Sequence, residues 1–146
     1  MAGRLTLWGA SQLLTTNWSR TSEPPNSYYL ALIRTLAPTP YVSGSELDEP
    51  PGDGYARMEI PNDIDNWGQA GQPQVIANLQ DVIFTQATDD WGPITYWALC
   101  DAPEAGNNFF VGSFETAKSV VGGEVAVVAA GDIAIVLGPF FSPEDD

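Results

Sequence analysis

The sequence predicts a mainly β protein, an antiparallel β-sandwich or jelly-roll-like barrel with a short N-terminal helix. Fourteen glycines and twelve prolines divide its 146 residues into short pieces, as is typical of strands joined by tight turns. The pieces are rich in β-branched and aromatic residues, and strands do not alternate with helices along the chain. A chain of this length with 44% hydrophobic residues fits one domain, so we expect residues 1–146 to form a single β-sandwich unit.

The N-terminal region, residues 1–20, is predicted to form a helix or arm. Apolar side chains recur there at roughly helical spacing, at Leu5, Trp8, Leu13 and Leu14. Thr6 precedes most of this pattern and belongs to a residue type that caps helices, because its hydroxyl can accept a hydrogen bond from a free backbone N–H. We therefore expect a short helix over residues 6–15.

Seven or eight strands are expected after the helix. The predicted strands are apolar runs bounded by turn residues, at 28–35, 55–60, 75–79, 81–84, 94–100, 109–115, 120–129 and 133–137. We expect the last two runs to form a closing pair, residues 61–73 to be irregular and the acidic tail 142–146 to be frayed. Residues 37–54 carry four prolines and three glycines, which predicts a long surface loop.

Composition argues against several kinds of chemistry. The chain has no histidine and one cysteine, so we expect no catalytic triad, disulfide, or cysteine or histidine metal site. Nineteen acidic residues against five basic ones give a net charge of −14, which opposes binding to nucleic acid or to an anionic membrane. Turns explain the acids Asp63, Asp65, Asp89 and Asp90 better than a calcium site does, and Cys100 is expected to be buried. We predict no enzyme activity and no cofactor.

Several stretches resemble small structural proteins of tailed bacteriophages, whose members are labelled tail fibre, minor tail or virion structural proteins. The most distinctive stretch is 84–101, which contains Trp91-Gly92-Pro93, and three weaker ones lie at 29–32, 54–57 and 130–135, so that the likeness extends from the opening at 5–9 onward. The resemblance covers most of the chain and brings no catalytic residues. It implies a virion protein made in the host cytoplasm. Its implied partners are other virion proteins, either the major capsid protein or tail proteins, together with further copies of itself.

Three functions stay open at this point. A compact acidic chain without heptads or repeats suits a multi-copy capsid decoration (cement) protein, which we place slightly ahead. A minor tail, tail fibre or baseplate component suits it almost as well. The third alternative is a carbohydrate-binding module that uses exposed tryptophans, although core packing explains the five tryptophans more simply. The acidic surface favours a positively charged partner or serves solubility alone.

Seven residues are candidate partner contacts: Trp8, Tyr41, Glu46, Asp48, Glu49, Phe140 and Phe141. They come from the N-terminal region, the loop 37–54 and the aromatic segment 139–141, which is either an exposed anchor or a last core strand. Trp91 and Trp97 are expected to anchor the core. Arg57 is expected to be a structural residue, paired with an acid or stacked on Tyr55.

Overall fold

The computed structural model describes residues 3–39 and 43–137. These ranges contain one α-helix, α1 (Leu7–Asn17), and a short 3-10 helix, Gly44–Glu46. They also contain ten strands: β1 (Arg4–Leu5), β2 (Ser27–Ile33), β3 (Met58–Pro61), β4 (Trp67–Ala70), β5 (Gln72–Asn78), β6 (Val82–Ile83), β7 (Gly92–Cys100), β8 (Asn108–Val120), β9 (Val127–Val128) and β10 (Ala134–Val136). The predicted mainly β class with a short N-terminal helix is confirmed.

The strands form three antiparallel sheets. The largest has the order β1-β8-β7-β2-β3, the second has the order β10-β5-β4, and the third pairs β6 with β9. An isolated parallel bridge from Gly3 to Ile135 joins the two larger sheets at one point. Across the described ranges the sheets do not close into a barrel. In the same ranges no helix is long and apolar enough to cross a membrane.

The core lies where side chains from all three sheets meet, and Trp97 is at its centre. Trp91 and Trp97 are both buried, as predicted, together with Leu30, Leu99 and Trp67. Gly3 and Gly112 lie against the Trp97 indole so closely that a Cβ at either position would overlap the ring. Two glycines therefore allow a large aromatic ring to fit between β1, β8 and the core.

Cys100 is fully buried at the end of β7, as predicted. Burial raises the pKa of its thiol to about 12, and the nearby Arg57 offsets only part of that rise. A thiol in this environment stays protonated and unreactive at neutral pH. The side chain acts as a small apolar residue of the core.

Several strand predictions are wrong in detail. Residues 61–73, predicted to be irregular, contain β4 and the first residues of β5. The expected closing pair does not form, because β9 pairs with β6 and β10 pairs with β5. The predicted strand 55–60 begins only at Met58, and β8 extends beyond the expected 109–115 to Val120. The tail 142–146 lies outside the described residues.

Candidate functional site

The helix α1 is anchored to the sheet at its N-terminus. Thr6, the predicted cap, accepts a hydrogen bond from the backbone N–H of Gly9 at 3.0 Å. The Thr6 hydroxyl lies within hydrogen-bonding range of the backbone carbonyls of Asn108 and Phe109, on β8. Gly9 faces the same strand, and a Cβ there would collide with the carbonyl oxygen of Phe109. The helix can therefore approach β8 this closely because residue 9 is glycine.

The opposite side of α1 is an exposed apolar stripe. Leu7, Leu14 and Trp18 are 57%, 58% and 68% exposed. At about 100° per residue, these three positions fall within roughly 40° of one another and lie opposite Gly9. We call these three side chains the α1 ridge. Large apolar side chains grouped on a surface in this way are typical of interaction sites.

The ridge lies in a part of the chain that carries no acid. Residues 5–19 have no charged side chain, and the exposed Arg4 and Arg20 lie just before and after them. The first acid in the sequence is Glu23, so the net charge divides into +2 for residues 1–22 and −16 for residues 23–146. The ridge is thus an apolar surface with a cation near each end, on an otherwise acidic protein.

Trp8, a predicted contact residue, lies at the side of the ridge. Its ring packs edge-to-face on Phe109 with centroids 6.4 Å apart, and 43% of the residue is exposed. The interpretation of every tryptophan as a core residue is correct for Trp67, Trp91 and Trp97 and wrong for Trp8 and Trp18. The exposed Trp18 was missed, although its spacing from Leu7 and Leu14 in an uncharged segment is visible in the sequence.

A crevice of about 280 Å³ runs along the other side of α1. It lies between the helix and Pro24-Pro25, and its walls include Leu13, Tyr28 and Phe110. Burial raises the pKa of Tyr28, so its hydroxyl is neutral at physiological pH. The apolar surface around α1 therefore continues from the ridge past the helix to the edge of this crevice.

The second candidate region is the acidic loop, residues 43–51. Its first acid, Glu46, closes the start of the 3-10 helix by accepting a hydrogen bond from the Ser43 hydroxyl at 2.8 Å. Asp48 accepts from the backbone N–H groups of Thr35 and Leu36, both at 3.0 Å, and forms an ion pair of 2.9 Å with Arg34. Burial opposes the charge on Asp48, but these donors outweigh it and lower the pKa of the carboxyl.

Glu49 lies at the centre of a partly buried hydrogen-bond network. Both of its oxygens accept hydrogen bonds from Arg57 at 2.9 Å, and the Tyr55 hydroxyl donates to the same carboxylate at 2.6 Å. The Arg57 side chain is 3% exposed and also donates to the carbonyls of Gly44, Ala102 and Ala105. The prediction that Arg57 is a structural residue paired with an acid is confirmed.

The network raises the pKa values of both Tyr55 and Arg57. Burial raises the pKa of Tyr55, and the neighbouring Glu49 carboxylate raises it further. Burial alone would lower the pKa of Arg57, but hydrogen bonds and charge attraction to Glu49 raise it overall. The phenol is therefore neutral and the guanidinium charged, each held by Glu49.

The predicted acidic contacts thus all have partners within the chain. Glu46, Asp48 and Glu49 hold the acidic loop in place, and their contact with another protein stays a prediction. Tyr41, Phe140 and Phe141 lie outside the described residues, so their roles also stay predictions. The other acids considered for calcium form turns, since Asp63 accepts backbone N–H bonds from Asp65 and Asn66. Within the described ranges no group of three or more acids or thiols could hold a metal ion.

Comparison with known proteins identifies the family. The family model described as Podophage GP4 fiber I protein gp80 matches residues 10–136, from within α1 to the end of β10. No curated protein matches the chain. The resemblance to phage virion structural proteins is therefore confirmed over most of the sequence. The chain belongs to the Podophage GP4 fiber I protein gp80 family and is a structural protein of the phage virion.

Proposed function

We propose that this chain is a non-enzymatic fibre component that attaches to a tailed-phage particle through its N-terminal helix. The family description names a fibre protein, which favours a tail-associated role. The observation that carries the attachment role is the α1 ridge, where the large apolar side chains of Leu7, Leu14 and Trp18 are exposed. Burying those side chains against another protein would gain free energy that the isolated chain leaves unused.

The polar groups of the chain support a structural role. The constellation of Glu49, Tyr55 and Arg57 has the residue types of an acid–base site, but its hydrogen bonds are made to one another and to the backbone. A group that transfers protons needs access to substrate and a pKa near the working pH. Burial and the Glu49 carboxylate raise the pKa of Tyr55, and the hydrogen bonds and charge attraction to Glu49 outweigh burial and raise the pKa of Arg57, so both values lie further from neutrality.

Capsid decoration is the alternative function. It is favoured by the absence of heptads and repeats in the sequence, features that long fibres usually have. Both functions involve several copies per particle, in self-association or side by side on a lattice. Carbohydrate binding is a weaker alternative, since Trp67, Trp91 and Trp97 are buried and only Trp8 and Trp18 could stack on a sugar.

Copy number separates these functions. Quantitative mass spectrometry of purified particles would give the ratio of this chain to the major capsid protein. A tail-associated fibre in threefold or sixfold symmetry predicts a ratio of about one hundredth, whereas decoration of each lattice position predicts roughly one third to one. Absence of the chain from the particles would contradict both functions.

A further inference from the structure

We propose that the α1 ridge seats in an apolar groove of another virion protein, and that this groove has acidic side chains at its two ends. The inference rests on the proposed attachment role and adds the chemistry of the surface that receives the helix. It follows from three features of the described residues: the spacing of the ridge, the cations at its ends and the distribution of charge over the rest of the chain.

The spacing of the ridge fits a groove better than a flat surface. Leu7 and Leu14 are the i and i+7 positions of one face of α1, and Trp18, the C-cap residue directly after the helix, continues this spacing at i+11. Amphipathic helices anchor in apolar grooves with this pattern. From Leu7 to Trp18 the helix axis covers about 16 Å at 1.5 Å per residue. The ridge is therefore long enough to cross a groove, and its widest side chain, Trp18, lies at one end.

The charges at the ends of the ridge define the rim of the groove. Arg4 and Arg20 are both exposed, and no acid lies between them in the sequence. Carboxylates on the receiving protein would pair with these two guanidiniums while the apolar side chains are buried between them. Because residues 23–146 carry a net charge of −16, an acidic rim would disfavour most other parts of the surface and favour the ridge with its two arginines.

A second copy of this chain is a less suitable partner for the α1 ridge than a different virion protein. Antiparallel packing of two α1 ridges brings Arg4 of one copy toward Arg20 of the other, and parallel packing brings like arginines together. Either arrangement places cations against cations at both ends of the contact. It also brings together two chains that each carry a net charge of −14. Charge complementarity therefore favours a different protein.

An anionic membrane surface is also a less suitable partner for the α1 ridge. Helices that lie on membranes usually carry several lysines or arginines along their polar face. The polar positions of α1 are serine, glutamine, threonine and asparagine, and the cations lie at the two ends. The remaining acidic surface would be repelled by anionic lipid.

Photo-crosslinking in the particle identifies the protein that contacts the α1 ridge. Ser11 is exposed one helical turn from both Leu7 and Leu14, so p-benzoylphenylalanine placed there would lie on the ridge. The variant is supplied during growth of phage whose own gene is disrupted, and purified particles are irradiated and digested. We expect a crosslink to another virion protein, in a segment that combines apolar residues with Asp or Glu. A crosslink to a second copy, to lipid or to a basic segment, or no crosslink, would overturn the proposal.

Charge reversal tests the rim. In the double variant Arg4→Glu/Arg20→Glu, the number of copies per particle should fall by about tenfold or more, because two attractive pairs become repulsive. Arg4→Lys/Arg20→Lys keeps the charge and should retain most of the copies. If the glutamate variant is incorporated as well as the wild type, the acidic rim does not exist.

Ridge variants test the groove against a matched control. Leu14→Gln/Trp18→Gln should lower incorporation by about tenfold, as removal of a central anchor does. Ile64→Gln changes an apolar residue that is 88% exposed elsewhere and should leave incorporation unchanged. If the glutamate variant of Arg4 and Arg20 matches wild type while the ridge variant is lost from particles, this inference fails alone. If the ridge variant also matches wild type, the proposed attachment through α1 fails with it. If wild type is absent from particles, the proposed function fails as well.

Discussion

The α1 ridge and the acidic loop are opposite kinds of surface on one chain. The ridge is apolar and free of charge, and it makes few contacts within the chain for the size of its side chains. The acidic loop is rich in charge, yet the carboxylates of Glu46, Asp48 and Glu49 are all engaged by donors of the same chain. The exposed side chains of the ridge can therefore still gain free energy by becoming buried against a partner. The carboxylates of the loop already form their hydrogen bonds within the folded chain.

This contrast shows why charge density alone is a poor guide to a contact surface. A carboxylate that already accepts two or three hydrogen bonds has few acceptor sites left for a partner. The carbon atoms of an exposed leucine or tryptophan side chain break no hydrogen bond when they become buried, and the removal of apolar surface from water is favourable. Predictions about the two regions should therefore differ in kind: changes in the loop act on folding, and changes on the ridge act on assembly.

The largest effect is expected from Arg57→Met, which tests whether the acidic loop is structural. The change leaves the Glu49 carboxylate partly buried without its main partner and the carbonyls of Gly44, Ala102 and Ala105 without a donor. Breaking a buried ion pair in this way costs about 3–5 kcal/mol of unfolding free energy. Urea unfolding followed by tryptophan fluorescence would measure it.

Arg34→Met is the matched control for Arg57→Met. Arg34 also pairs with an acid of the loop, but its side chain is partly exposed to water. Its loss should cost no more than about 1 kcal/mol. If the two variants lost equal stability, the Glu49–Arg57 network would not be the element that fixes the loop.

The next effect is expected from Gly9→Ala, which tests how firmly the helix is held. In an exposed helix this change would stabilise by about 1 kcal/mol, because alanine has the higher helix propensity. Here the added methyl group meets the Phe109 carbonyl, so we expect a loss of about 1–3 kcal/mol in urea unfolding. Ser11→Ala on the outer face should be neutral or slightly stabilising, and a stabilising Gly9→Ala would show that α1 is loosely docked.

A smaller, pH-dependent effect is expected from Asp48→Asn. At neutral pH the variant should lose about 1–2 kcal/mol, because the charged acceptor for Thr35, Leu36 and Arg34 is gone. The pKa of Asp48 is lowered on folding, so its contribution is complete above the ordinary value of 3.8 and is lost as the pH falls through the lower folded value. Wild type and variant should therefore converge in unfolding free energy in acid, from about pH 4 downward. A constant difference between them would contradict this assignment.

The parts of the fold that local patterns specify were predictable from the sequence. The run of apolar residues in β2 and β7 and the Thr6 cap were recognised because each depends on neighbours in the sequence. The strand β4 was missed because Trp67-Gly68-Gln69-Ala70 has little β propensity and gains its pairing from β5. The pairing of β9 and β10 was wrong because it depends on partners about 45–60 residues away, which local patterns do not identify.

The candidate site, like the fold, was predictable from the sequence only in part. Trp8 and the region 1–20 were identified, and so was the structural role of Arg57. The sequence could not show with which acids Arg57 and Arg34 pair, since several acids lie within about 15 residues of each. It also could not separate the exposed face of α1 from the buried one. That division depends on Gly9 approaching β8, a strand about 100 residues further along the chain.

The smallest effect on stability is expected from Leu14→Gln/Trp18→Gln. This variant tests most directly whether the α1 ridge, unlike the acidic loop, contributes to binding and not to folding. Both side chains are already mostly in water, so the unfolding free energy should change by less than about 0.5 kcal/mol per site. The measurement is the same urea titration, with circular dichroism to confirm the helix. A loss of more than about 2 kcal/mol would mean that the ridge packs within the chain and is no binding surface. A stable variant that fails to enter particles would show that these two side chains contribute to assembly, whereas the carboxylates of the acidic loop contribute mainly to folding.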